Sequence, residues 1–154
     1  MSKRLVSLVG GAVVAALSLS VFSSAQAHEP GTFESPIVEQ RVAKFKQSGG
    51  DIQAVFKKHL PAGDLDAVAA AALRMAAWAD EMPDYFPKGS LSMGADKALW
   101  DDFFDFKAKA KANASAARAL HSAALSGDKS KVVSAAKRVG GTCKSCHDSY
   151  RIKH

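Results

Sequence analysis

The sequence predicts an all-α protein that folds as an antiparallel up-down-up-down four-helix bundle. Four segments carry apolar residues spaced three and four apart, which is the pattern of a helix with one buried face. Glycine and proline lie between these segments, and no segment shows the strict alternation of a half-buried strand. Because most of the links are short, successive helices are expected to lie side by side in opposite directions.

The first helix is predicted to begin at Ser35, a favourable N-cap residue, with Pro36 at its first position and Pro61 and Gly63 at its end. The pair Gly49-Gly50 costs about 1 kcal/mol per glycine relative to alanine, so a bend or a close packing partner is expected there. The apolar stripe of this helix consists of Val38, Val42, Phe45, Gly49, Ile52 and Phe56.

The second helix is predicted to run from about Asp64 to Met82, where Pro83 stops it. A longer connection with two prolines and two glycines then leads to Gly94. The apolar stripe of the second helix consists of Val68, Ala72, Met75, Ala79 and Met82.

The third helix is predicted from about Ala95 to Ser126, and the fourth from Asp128 toward Arg151, with Gly127 between them. The third stripe consists of Leu99, Phe103, Phe106, Ala110, Asn113, Ala117, Leu120 and Ala124. The fourth stripe consists of Val132, Ala136, Val139, Cys143, Cys146 and Tyr150.

Alanine is frequent in these stripes, so the side chains of the helices leave volume that they do not fill themselves. Protein interiors are close-packed, and an unfilled cavity lowers the free energy of unfolding. The pattern therefore favours a large apolar cofactor inside the bundle.

The run Cys143-Lys144-Ser145-Cys146-His147 has the C-x-x-C-H form that attaches a c-type haem. Residues three and four apart share one face of a helix. Cys143 and Cys146 can therefore each form a thioether bond with one vinyl group of the same porphyrin. His147 faces the iron as its axial ligand. The run predicts one covalently bound haem c.

The run is compatible with two other uses. A disulfide between residues three apart closes a very small loop and constrains the unfolded chain little. Structural zinc requires four ligands, and the run supplies three. A haem-free helical module with a disulfide or a metal at the cysteines stays open as a distant alternative.

Residues 1–27 are predicted to be a cleaved signal peptide, with Lys3 and Arg4, an apolar run, and Ala25-Gln26-Ala27 at the cleavage site. The apolar run is short for a membrane span and is interrupted by serine and glycine. Residues 28–154 are then expected to form one domain in the periplasm, with no stable membrane insertion after cleavage. Cleavage lowers the net charge of +6 by two, and the scattered basic residues indicate solvated helix faces rather than nucleic-acid binding.

The chain resembles the class II c-type cytochromes, that is, the cytochromes c′ and their low-spin relatives. The resemblance is strongest in the haem motif near the C-terminus, from Val139 to Arg151. Further similar stretches are Phe86-Pro87-Lys88-Gly89-Ser90, Trp100 with Phe103 and Phe106, Gly127-Asp128, and Arg41 with Phe45-Lys46-Gln47-Ser48-Gly49.

The resemblance implies roles for three further residues around the haem. Arg41 would lie near the haem propionates, although an exposed arginine is equally consistent with the sequence. Phe45 would occupy the distal position, where low-spin relatives carry an iron-ligating methionine. Arg151 would lie beside the proximal His147, although a cation favoured by the helix dipole at its C-terminal end is the alternative.

The resemblance implies a periplasmic electron-transfer protein, not an enzyme, with an open distal site that binds nitric oxide or carbon monoxide. It also implies a redox partner in the periplasm and a homodimer formed through the first two helices. The alternative is a six-coordinate low-spin electron carrier whose sixth ligand is a methionine or histidine outside the first helix. The candidates for that ligand are Met75, Met82, Met93, His59 and His121.

Overall fold

The computed structural model describes residues 35–153. The predicted signal peptide, and the rest of the chain up to Glu34, lie outside the described residues. Within residues 35–153, no helix combines the length and the hydropathy that crossing a membrane requires.

Four long helices form the bundle, as the sequence predicts, and shorter helical pieces connect them. In chain order the elements are α1 (Pro36–Ala54), a π-helical turn (Val55–His59), α2 (Leu60–Ala62), α3 (Leu65–Glu81), a 3₁₀ turn (Met82–Tyr85), α4 (Ala98–Asp101), α5 (Phe103–Leu125) and α6 (Lys129–Tyr150). The β-structure found in residues 35–153 consists of two isolated bridges, from Ala95 to Ser92 and from Ala95 to Arg151. The second bridge ties the connection before α4 to the C-terminal end of α6.

Aspartate caps begin three of the long helices. The side chains of Asp64, Asp102 and Asp128 each accept a hydrogen bond from the backbone N–H three residues later, at 3.0–3.1 Å. Each bond satisfies one of the N–H groups that the first turn of a helix leaves without a partner. Gly63 and Gly127 end the preceding helices in the left-handed conformation, at φ 69° and 73°.

The first helix departs from the prediction near its end. The α-helix gives way to a π turn at Val55, and helical structure continues through Pro61 to Ala62. A π turn inserts one extra residue and therefore shifts the buried face. Val55 is fully buried, whereas Phe56 is 39% exposed. The prediction that Phe56 belongs to the buried stripe is therefore wrong.

This register can be tested with one substitution at each of two neighbouring positions. Val55→Lys is expected to lower the free energy of unfolding by about 3–5 kcal/mol, because it places an unpaired charge in the core. Phe56→Lys, the matched control, is expected to cost about 1 kcal/mol or less because its ammonium group reaches solvent. Urea unfolding measures both values, and equal losses would contradict the assigned register.

The third helix is broken where the sequence predicts one continuous helix from Ala95. The short α4 ends at Asp101, and α5 begins after Asp102, whose backbone lies at φ −130° and ψ 64°. The side chain of Asp102 caps α5, so a local hydrogen bond offsets the helical bonds lost at the break. Leu99 on α4 remains buried, so the break turns the helix without removing this residue from the core.

The core has two parts with different packing. One part is rich in alanine and valine and lies where α3, α5 and α6 approach closely. The other is aromatic and includes Trp78, Phe86, Phe106 and Tyr150. The expectation that alanine stripes leave room for a cofactor is therefore only half right. Most of the alanines allow the helices to touch, and the open volume lies at the aromatic end.

Candidate haem site

A cavity of about 680 Å³ lies at the aromatic end of the bundle, with walls from α1, α3, α5, α6 and the connection before α4. Its volume falls in the range of about 300–1,000 Å³ that is typical of cofactor and ligand sites. Contacts between α1 and α6 are few, whereas α3 packs on α5 and α5 on α6 along much of their lengths. The cavity therefore occupies the space between α1 and the rest of the bundle.

The C-x-x-C-H run lies on the last turns of α6 and faces this cavity. Cys143, Cys146 and His147 all line its wall. Buried Val132, Ala136 and Val139 hold the preceding turns of α6 in the core and so fix the direction in which this face points. The structure thus brings together the three residues that the sequence predicts to hold the haem.

Burial shifts the pKa values of all three groups. Burial raises the pKa of the Cys146 thiol to about 11, although the nearby charge of Lys109 opposes the shift. Burial also raises the pKa of the Cys143 thiol. Burial, followed by the positive charge of Arg151, lowers the pKa of His147. This shift favours the neutral imidazole, which is the form that ligates iron.

Arg41 is buried in the wall of the cavity and is only 1% exposed. Its Nη1 donates to the hydroxyl of Ser90 at 2.7 Å and to the carbonyl of Tyr85 at 3.2 Å, and its Nη2 donates to the carbonyl of Ser90 at 2.5 Å. The guanidinium also lies over the ring of Phe86, 4.4 Å from its centre. The alternative of an exposed arginine on the first helix is therefore wrong.

The electrostatics of the cavity favour an anion. Burial lowers the pKa of Arg41, and none of the ion pairs among the described residues involves it. Lys46, Lys109 and Arg151 also line the walls, and the lining contains no aspartate or glutamate. An unpaired buried charge is costly, so a carboxylate-bearing occupant would stabilise this wall.

Trp78 supplies a second polar group that suits such an occupant. Its ring lines the cavity, its side chain is 95% buried, and its Nε1–H has no hydrogen-bond partner among the described residues. Buried donors are normally paired. An apolar cavity with cationic side chains, an indole N–H that has no partner, two thiols and an imidazole fits a haem, which is a flat apolar ring with two carboxylates.

Phe45 lines the cavity from α1. Its ring packs edge-on against Trp78, with centres 5.1 Å apart, and against Phe86 at 6.2 Å. These contacts hold the phenyl ring between α1 and the aromatic part of the core. Arg151 also lines the cavity, and its backbone N–H donates to the carbonyl of His147 at 3.1 Å.

The structure narrows the set of candidate sixth ligands. Met82 and Met93 line the cavity. Met75 lies in the alanine-rich part of the core, and neither His59 nor His121 lines the cavity. Two of the five candidates therefore remain.

Sequence reasoning missed the roles of Trp78 and Asn113. Trp78 follows Met75 by three residues and precedes Met82 by four, so the helical spacing could have placed it on the buried stripe. Asn113 was placed on its stripe, but the pattern alone gives no function to a polar residue there.

Comparison with known proteins shows the family. Residues 36–151 match the family model described as Cytochrome C′. The chain belongs to the cytochrome c′ family. As a member of this family it carries one covalently bound c-type haem.

Relatives and solved structures agree with this assignment. Cytochrome c-556 of Agrobacterium tumefaciens (strain II Chrys) is 38% identical over 120 residues, which cover 75% of this chain and 97% of the relative. The crystal structure of cytochrome c′ from Thermochromatium tepidum superimposes with a TM-score of 0.70 at 30% identity and covers 79% of this chain and 100% of that one. The nitric oxide complex of a variant of cytochrome c prime from Alcaligenes xylosoxidans superimposes with a TM-score of 0.68 at 25% identity, covering 76% and 94%.

Proposed function

We propose that this member of the cytochrome c′ family is a periplasmic electron carrier, not an enzyme, whose haem iron has an open sixth site that binds nitric oxide or carbon monoxide. The observation that carries the proposal is the shared cavity. Cys143, Cys146 and His147 line one wall, and Phe45 lines the same cavity from α1.

The bound haem would supply a one-electron couple between ferric and ferrous iron. The residues of the chain would hold and tune it. Cys143 and Cys146 would be the attachment points, and the neutral imidazole of His147 would be the axial ligand. Arg41 and the indole N–H of Trp78 would bind the haem carboxylates. The apolar walls would exclude water from the iron.

The side chains that α1 presents to the cavity support an open sixth site. A phenyl ring cannot coordinate iron, and α1 contains no methionine, histidine or cysteine. The aromatic contacts of Phe45 hold its ring in place, so it would crowd the sixth site and favour small diatomic ligands. The nitric oxide complex of the Alcaligenes xylosoxidans protein supports gas binding within this fold.

Met82 and Met93 define the second candidate function, a six-coordinate electron carrier. Met93 lies in the connection whose Gly94 carbonyl accepts a hydrogen bond from the backbone N–H of Ile152, just after α6. This places Met93 near the end of the helix that carries His147. A sixth ligand would have to be supplied from a part of the cavity away from His147, so the position of Met93 favours the open site.

Absorption spectra of the ferric and ferrous protein test the proposal. We expect high-spin bands in both states and a shift of the ferrous spectrum when carbon monoxide is added. Met82→Leu and Met93→Leu, which remove the two remaining candidate ligands, are expected to leave the bands unchanged. Sharp low-spin bands that become high-spin in one of these variants would overturn the open site in favour of the six-coordinate carrier.

The cellular context of the proposal rests on the leader and on the resemblance. We propose that residues 1–27 direct export and are removed, and that the redox partner lies in the periplasm. A homodimer through the first two helices is part of the same proposal. N-terminal sequencing of the exported protein and its sedimentation velocity test these two statements, since a retained leader or a monomer at all concentrations would contradict them.

A further inference from the structure

Asn113 is a buried polar residue on the apolar stripe of α5. It is 7% exposed and lines the haem cavity, and Ala110, Ala114 and Ala117 lie on the same side of the helix. A buried amide costs free energy unless it is hydrogen-bonded. The partners of Asn113 therefore show what the residue does at this position.

The amide of Asn113 bonds to two atoms on α6. Its Nδ2 donates to Thr142 Oγ1 at 2.8 Å and lies 3.4 Å from Cys143 Sγ, as a donor to that sulfur. Thr142 in turn donates its hydroxyl hydrogen to the carbonyl of Val139 at 2.7 Å. The second of the two amide hydrogens is thus directed at the sulfur that would carry the haem.

These neighbours fix the orientation of the amide. A threonine hydroxyl has a single hydrogen, and here Val139 receives it, so Thr142 offers Asn113 only lone pairs. The NH₂ group, not the oxygen, must therefore face α6. A thioether sulfur also has no hydrogen and can only accept. The amide is therefore oriented to suit Cys143 after it has been joined to the haem.

We propose that Asn113 is a positioning residue for the haem attachment at Cys143, holding Sγ by a hydrogen bond and raising the reduction potential of the iron. This inference rests on the proposed function. Ferric iron carries one more positive charge than ferrous iron. The positive end of an N–H dipole beside the ring therefore disfavours the ferric state, and it does so more strongly in a low-dielectric cavity than in water.

The test compares two variants that remove different hydrogen bonds among Asn113, Thr142 and Cys143. Asn113→Leu removes the donor to Cys143 Sγ and is expected to lower the midpoint potential. It is also expected to shift the carbon–sulfur stretching bands in the resonance Raman spectrum. Thr142→Val, the matched control, removes the other acceptor of Asn113 and the bond to Val139. It is expected to lower the free energy of unfolding but, because the Asn113 donor to Cys143 Sγ is still present, to change the potential and the carbon–sulfur bands less than Asn113→Leu does.

Asn113→Ala is measured in parallel, because it deletes the same donor without adding bulk. The same comparison can then be made with the alanine variant if the leucine variant folds poorly. The proposal is overturned if the leucine and alanine variants lose stability as Thr142→Val does while their potentials are unchanged or higher. A wild-type protein without covalent haem would instead refute the proposed function. The haem content of the wild type therefore separates the two failures.

Discussion

Replacing Cys143 and Cys146 together by serine is expected to abolish covalent haem attachment completely. Each thioether forms by addition of a thiol across a vinyl group of the porphyrin, and a serine hydroxyl is too weak a nucleophile to take its place. Haem staining of a denaturing gel should then give no signal from the double variant. Cys143→Ser alone is expected to retain haem through Cys146, with one vinyl group left intact. The pyridine haemochrome spectrum detects that difference.

A variant within the same run provides the control. Lys144 lies between the two cysteines in the sequence but is exposed and pairs with Asp148 on the outer face of α6, at 2.5 Å. Lys144→Ala is therefore expected to bind haem as the wild type does. Haem that stays covalently bound in the double serine variant would contradict the assignment of the two cysteines.

The second large effect is expected at Arg41. Arg41→Met removes the donors to the hydroxyl and carbonyl of Ser90 and to the carbonyl of Tyr85, and leaves these acceptors without a partner. Unsatisfied buried polar groups cost about 1–3 kcal/mol each, and the removal of a buried charge offsets part of that cost. We therefore expect the holoprotein to lose about 2–4 kcal/mol of unfolding free energy. Urea denaturation followed by circular dichroism measures this loss.

Arg118→Met is the matched control for Arg41, since it removes an arginine from an ion pair with Asp80 in which both side chains are about half exposed. Surface ion pairs of this kind contribute about 1 kcal/mol or less. The two arginines should therefore differ clearly in their effect on stability. Similar small losses in both variants would show that the buried guanidinium does not organise the cavity wall.

The sequence predicts most of the fold because its local signals agree with one another. The four helical segments, the aspartates before α3 and α6 and the left-handed glycines after the helices are each set by neighbouring residues. The site at Cys143, Cys146 and His147 is predicted for the same reason, since its geometry follows from spacing on one helix.

Two features of the fold are not set by local spacing. The π turn at Val55 shifts the buried face of the helix by one residue. A regular helical period continued beyond Ile52 therefore predicts, wrongly, that Phe56 is buried. The break at Asp102 competes with a continuous helix, and a local cap decides between them. The open volume left beside the alanine stripes depends on how closely the helices approach one another, so it is a property of the tertiary structure.

Local sequence patterns also do not predict which side chains form the wall of the cavity. Whether Arg41 is buried depends on Ser90, 49 residues later, and no pattern around Arg41 indicates that contact. The proposed role of Asn113 likewise depends on its hydrogen bonds to Thr142 and Cys143, which lie on another helix. Long-range hydrogen bonds of this kind can be assigned only once the helices are packed.

The intact mass of the purified exported protein tests the account most directly. Thioether formation adds each thiol across a vinyl group without losing an atom, so the predicted mass is that of residues 28–154 plus one whole haem. The added mass should persist in denaturant and acid. A mass equal to that of the polypeptide alone would contradict the covalent haem, and with it the roles given to the cavity and to its cationic wall.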